Sequence, residues 1–91
     1  MRYEWDEAKR PANMRKHGID FAGMERVFAG PTFTIWDDRF EYDEPRFLTF
    51  GMPRRQAIVV AHTETDEVIR LISARKANKD EEAQYFKEVA N

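Results

Sequence analysis

The chain contains no cysteine. That absence excludes a disulfide framework, a thiolate metal site and a cysteine nucleophile, and it fits a reducing compartment such as the cytoplasm. Glycine and proline number only four each, and no stretch reads as a linker, a repeat or a low-complexity tract. No apolar run approaches the roughly 20 residues of a membrane-spanning helix. The opening Met1-Arg2-Tyr3-Glu4-Trp5-Asp6 is too polar for a secretory signal. A cytoplasmic protein without a membrane partner is expected. Histidine is scarce, with His17 and His62 alone and far apart, and no HxxE or ExxH spacing that would make a ligand set. The acidic stretch 37–44 lacks the glycine and the terminal glutamate spacing of a calcium loop. Neither a glycine-rich phosphate loop nor a GxSxG elbow occurs. No metal and no cofactor is therefore expected. An excess of one charge is missing too. Fifteen Lys and Arg stand against 17 Asp and Glu, a net −2, so a nucleic-acid partner must be argued from where the charges sit.

What is present is a chain of 91 residues, 42% hydrophobic and 13% aromatic, enough for one core, so residues 1–91 are expected to form a single domain. The charged fraction of 35% makes the surface strongly ionic. Tyr3 and Trp5 alternate with charged neighbours and predict a short strand over residues 2–5. Asp6 is placed to cap a first helix that Gly18 stops, with Pro11 either moving its start toward Arg10 or kinking it. Asp20 is read as the cap of a second helix, along which Phe21, Met24, Val27 and Phe28 recur at helical spacing until Gly30-Pro31.

Strand chemistry follows over Thr32 to Trp36, Arg46 to Met52, Ala57 to Ala61 and Val68 to Ala74, the third being apolar on both faces as a covered central strand would be. Short turns join these strands and predict an antiparallel meander. Asn78 and Glu81 form a capping-box start for a closing helix expected to bury Ala83, Phe86 and Val89 and to leave Tyr85 sideways. The expected fold is α+β in two layers: two N-terminal helices, an antiparallel β-meander and a C-terminal helix.

The richest stretch is Ile69-Arg70-Leu71-Ile72-Ser73-Ala74-Arg75-Lys76. Arg70 either pairs with Glu67 or Asp66 on an exposed edge, or uses its planar fork to grip phosphate oxygens. Arg75 and Lys76, at the passage into the last helix, add positive charge. On a regular strand Arg70 and Arg75 point to opposite faces, because their separation is odd; only a bulge between them brings them together. On the first helix, Lys9, Asn13, Lys16 and His17 form a polar stripe, with Arg10 and Arg15 nearby. That stripe is either a solvated face or a track for a nucleic-acid backbone. Two imidazoles can cleave RNA as base and acid, although His62 in a strand and His17 at a helix end also suit structural roles. Trp5, Trp36, Tyr42 and Tyr85 are either core or stacking surfaces for bases.

Glu4-Trp5-Asp6, Lys9, Asn13 and Lys16-His17-Gly18, continued by Phe21 and Val27-Phe28, resemble the N-terminal motif of BrnT-type toxins. Glu44-x-Arg46-Phe47, Gly51, the stretch from Ile69 to Ala77, Glu81 and Tyr85 extend the resemblance over nearly the whole chain. The resemblance implies a RelE-like fold and an endoribonuclease toxin of a type II toxin–antitoxin pair. Such a toxin cuts RNA without a metal, by attack of the 2′-hydroxyl on the adjacent phosphate, and is masked by a BrnA-like antitoxin that alone touches DNA. Arg70 and Arg75 are then the candidates for transition-state charge. His62, His17 and Tyr85, in falling order of chemical fitness, are candidates for the general base, and Lys9, Arg15, Lys16 and Lys76 for RNA binding. From a different class, the same residues fit a non-catalytic module that only binds an antitoxin.

Overall fold

A computed structural model describes residues 1–89. The chain begins with strand β1 (Arg2–Trp5), followed by helices α1 (Lys9–His17) and α2 (Glu25–Ala29). Strands β2 (Phe33–Trp36), β3 (Phe47–Gly51), β4 (Ile58–Glu64) and β5 (Val68–Lys76) come next, and helix α3 (Lys79–Val89) closes the described chain. The five strands form one sheet in the order β1-β5-β4-β3-β2. The pairs β2–β3, β3–β4 and β4–β5 are antiparallel, whereas β1 lies parallel to β5, with Tyr3 opposite Ile69 and Glu4 opposite Arg70.

Two parts of the expected fold are thereby corrected. The strand expected over residues 2–5 forms, but it joins the sheet parallel to β5, so the arrangement of two N-terminal helices, a pure antiparallel meander and a closing helix gives way to a mixed five-stranded sheet. The helices are also not gathered on one side. Alternation along β4 sends Ile58 and Val60 toward Ile19, Phe21 and Val27 of the α1–α2 side, and Val59 toward Tyr85 of α3. Helices therefore cover both faces, in three layers. Both faces of β4 are dry, and residues 58–63 are buried throughout.

Local chemistry explains the helix boundaries. Asp6 does not cap α1 itself. Its carboxylate accepts from the Ala8 amide at 2.9 Å and its carbonyl from the Lys9 amide, shaping a turn before the helix. Pro11 thus falls in the first turn, where its missing N–H costs nothing and no kink is needed. Gly18 stops α1 with φ 72°, its amide donating to the Met14 carbonyl at 2.8 Å. The second helix is shorter than its apolar spacing suggests. Asp20 ties the Ala22 amide and both nitrogens of an Arg10 fork, and Gly23 at φ 97° breaks the run, so only Glu25–Ala29 is helical.

At the other end the capping box forms as expected. The Asn78 amide donates to Glu81 at 2.9 Å and the Glu81 amide to Asn78 Oδ1 at 2.8 Å. The face of α3 is the reverse of the expected one: Tyr85 is buried and Phe86 is 44% exposed. Tyr85 is suited to the inward place because its hydroxyl finds a partner there, donating to the Pro31 carbonyl at 2.9 Å.

Candidate active site

The register of β4 and β5 slips once. Ala61 faces Ser73 but His62 faces Leu71, so Ile72 is an extra residue bulged out of β5. The bulge changes which side chains share a face. Ile69, Leu71 and Ala74 all reach the core on the α1–α2 side, which leaves both Arg70 and Arg75 on the opposite face. The odd spacing of the two arginines is thus offset, and they stand on the sheet side that α3 covers only in part. Five residues at about 3.3 Å each still keep them roughly 16 Å apart along the strand, so they serve different neighbourhoods.

Arg75 faces α3. Its fork donates to both oxygens of Glu81 at 2.7 and 2.8 Å, and Glu81 is the acid of the capping box. The guanidinium holds the Glu81 carboxyl below its usual range, against the opposing effect of burial. Arg70 pairs neither with Glu67 nor with Asp66. It donates to Glu4 on the parallel neighbour strand at 3.2 Å, and both side chains are about half exposed. Such an open contact is weak and exchangeable.

Around Arg70 the sheet face is closed in by the segment 37–46. Its ends meet where the Asp37 amide donates to the Arg46 carbonyl at 2.8 Å, giving a compact Ω-type loop. Asp37 is buried at its base and accepts from Nε and Nη2 of Arg39, at 2.7 and 3.0 Å, and from the Tyr42 hydroxyl at 3.4 Å. The Arg39 guanidinium keeps the Asp37 carboxyl below the usual carboxylate range. Arg46 lies over the Tyr42 ring, 3.9 Å from its centre. This loop, α1 and β5 enclose a depression of about 190 Å³ walled by Lys9, Tyr42, Glu44, Arg46, Thr63 and Arg70 among others. A second depression of about 210 Å³ lies on the other side of Arg70, and Glu44 borders both. A larger hollow of about 420 Å³ lies elsewhere, beside Gly18–Asp20 and Arg54. Its carboxylate, Asp20, is already taken by Arg10 and the Ala22 amide.

The structure disperses the other residues singled out in the sequence. His62 is buried on the core face, between the rings of Phe28 and Phe47 at 5.2 and 5.8 Å. Its Nε2 lies 2.6 Å from Thr49 Oγ1, which lies 2.8 Å from Thr34 Oγ1, while Nδ1 has no partner among the described residues. A proton on Nε2 satisfies Thr49 and leaves only a lone pair in the apolar surroundings, and burial pushes the imidazole pKa down. Tyr85 spends its hydroxyl on Pro31. His17, Arg15 and Lys16 form the basic last turn of α1, where they complement the helix dipole.

Asn13 is not part of a solvated stripe. It is buried and latches α1 to the sheet, donating to the Ile19 and Ala74 carbonyls at 2.9 Å and accepting from the Ala74 amide. Lys76 is exposed at the end of β5. Trp5 packs on Phe21, whereas Trp36 is 63% exposed. Of the expected residues, Arg70 and Lys9 share the cleft. Tyr42, named above as a possible stacking surface, also borders it, and Glu44, Arg46 and Thr63 join as site residues that had not been proposed. The signal for two of these was the Glu44-x-Arg46-Phe47 motif, since Phe47 pairs with His62 and therefore sets Arg46 beside Thr63.

Among the described residues, no group of three His, Asp or Glu side chains is placed to hold a metal ion, and no helix is long and apolar enough to cross a membrane. The fold and cleft define a small α+β protein with cations and an accessible carboxylate around one open sheet surface, a combination suited to a phosphate-bearing ligand. The chain belongs to the BrnT family, described as the ribonuclease toxin of a type II toxin–antitoxin system, which it matches over residues 5–81. Membership implies RNA as the substrate and an antitoxin as the partner. No curated protein matches the chain.

Proposed function

We propose that this toxin is a metal-independent endoribonuclease acting at the Arg70 cleft, in the cytoplasm, and neutralised by a BrnA-like antitoxin through which alone it meets DNA. The observation that supports this reading is the convergence of Lys9, Arg46 and Arg70 with Glu44 on one open sheet face. In-line cleavage joins the 2′-oxygen to phosphorus and breaks the bond to the 5′-oxygen, building negative charge on the phosphorane. Guanidinium and ammonium groups gathered at one face stabilise that charge without a metal. Glu44 has no cation within ion-pairing distance among the described residues and is the carboxylate free to take the 2′-hydroxyl proton. Water in the open cleft protonates the departing 5′-oxygen. The products are a 2′,3′-cyclic phosphate and a 5′-hydroxyl.

The test is RNA cleavage by purified protein in excess chelator, alongside induction of the chain in a bacterial host. Cleavage leaving cyclic phosphate ends, with growth arrest, is the expected result. Activity lost in chelator and restored by magnesium would refute the metal-independent mechanism, and intact RNA with normal growth at high soluble expression would refute the enzyme.

A further inference from the structure

Phe40 and Trp36 are 68% and 63% exposed, the first on the loop that follows β2 and the second at the end of that strand. Phe40 meets Tyr42 edge-on with ring centres 6.1 Å apart, and Trp36 is tilted 47° against Phe47 at 5.1 Å. With Tyr42, Pro45 and Arg46 they border a shallow depression of about 280 Å³. Exposed rings gathered beside one hollow mark an interaction surface rather than ordinary scatter. Its charge says what kind of partner fits. The loop carries Asp37, Asp38, Glu41, Asp43 and Glu44 against Arg39 and Arg46. Arg39 is neutralised by Asp37, and Arg46, laid over the Tyr42 ring, also lines the Arg70 cleft. An acidic, aromatic surface repels a phosphate backbone and complements a polypeptide that presents apolar and basic side chains.

From this we infer that the Trp36–Phe40 surface is where the antitoxin docks, through a segment bearing apolar side chains for the two rings and Lys or Arg for Asp38 and Glu41. The inference rests on the toxin reading above and adds the location and chemistry of the contact. It also explains inhibition. Tyr42, Asp43, Glu44 and Arg46 border the aromatic hollow on one side and the Arg70 cleft on the other. A polypeptide seated on the rings therefore sits at the mouth of the cleft, and RNA is excluded by occupancy.

The experiment uses the full chain with the protein encoded by the adjacent reading frame as the probe. Trp36→Ala/Phe40→Ala and the charge-reversed Asp38→Lys/Glu41→Lys are each expressed alone and with that neighbour, and binding is measured on purified proteins. Removing two ring anchors from the middle of an interface is expected to weaken binding by roughly 100-fold or more. Both variants should arrest growth and cleave RNA like wild type, and neither should be rescued by the neighbour. Phe40→Ala alone, at a ring that is 68% exposed, keeps the test open if Trp36 is needed for folding; it too should escape rescue in part. Variants bound and rescued like wild type overturn the inference. So does a ring variant that is still bound but no longer cleaves RNA, since the aromatics would then serve the substrate. A neighbour that does not bind the wild-type chain also overturns it. Growth arrest by wild type alone tests the ribonuclease reading separately.

Discussion

Two arginines on one strand, five positions apart, carry different burdens. Arg75 is locked to Glu81 by a bidentate pair that also steadies the start of α3, whereas Arg70 has only a half-exposed contact with Glu4. Arg70→Ala is therefore expected to change stability by about 0–1 kcal/mol and to slow RNA cleavage by roughly a hundred- to a thousandfold. Arg75→Ala should reverse the balance. Losing a charge-assisted, partly buried pair costs about 1–2 kcal/mol, or roughly 4–8 °C in Tm per kcal/mol for a chain of this size, with cleavage reduced far less. Thermal melting and cleavage rates on the same two variants check both halves, and equal effects on each property would remove the distinction.

His62 carries a second prediction at this scale. Its imidazole is pushed down by burial, so below the usual histidine pKa of about 6.5 the unfolded chain takes up a proton that the folded chain refuses. Stability is then complete above that pH and falls as the pH drops below it, by up to about 1.4 kcal/mol per pH unit. The Asp37 and Glu81 carboxyls, which are held low, add their own loss only under more acidic conditions. Denaturant melts at pH 7.5, 6.5 and 5.5 should show this slope in wild type and a flat response in His62→Phe.

Among the elements, strand β3 passes close beneath α2. A Cβ built on Gly51 would lie 2.6 Å from Val27 Cγ1 and 3.0 Å from the Val27 carbonyl oxygen. The nearest obstacle is the short, branched side chain of Val27, which is itself buried, and behind it stands the Val27 carbonyl, which cannot rotate away. Gly51→Ala is expected to destabilise the fold by about 1–3 kcal/mol, while Gly30→Ala, with nothing within 4 Å, is a control expected to cost little. Urea unfolding of the pair gives the comparison.

The elements also show what a sequence discloses. The capping box at Asn78 and the two-sided burial of β4 were legible, because one needs three residues of separation and the other a continuous apolar run. The bulge at Ile72 was not, since it exists only relative to the register of β4, and so the shared face of Arg70 and Arg75 could be posed but not answered. Asn13 looked like surface because the carbonyl it seeks, that of Ala74, lies far along the chain. Tyr85 and Phe86 were exchanged because two adjacent rings fix a helix's rotation poorly when Pro31, which decides it, is remote.

At the scale of the whole molecule, a net charge of −2 hides a division of labour. Cations face the cleft from α1, β5 and the start of β3, while the loop that walls the cleft presents acid and aromatic side chains to its other side. Overall charge thus says little about the RNA, and placement says more. What lay beyond reading was the pairing of β1 with β5, which joins residues 66 positions apart and turns an expected meander into a mixed sheet.

That pairing bears on how such a protein is made. Synthesis runs from the first residue onward, so β1 emerges early and, among the described residues, has no strand partner until β5 follows. Any product released before residue 70 lacks Arg70 altogether, and one that ends soon after it leaves the sheet incomplete. Broken messages and stalled translation therefore yield fragments without an assembled cleft. The cleft can assemble only in a chain that has run through β5.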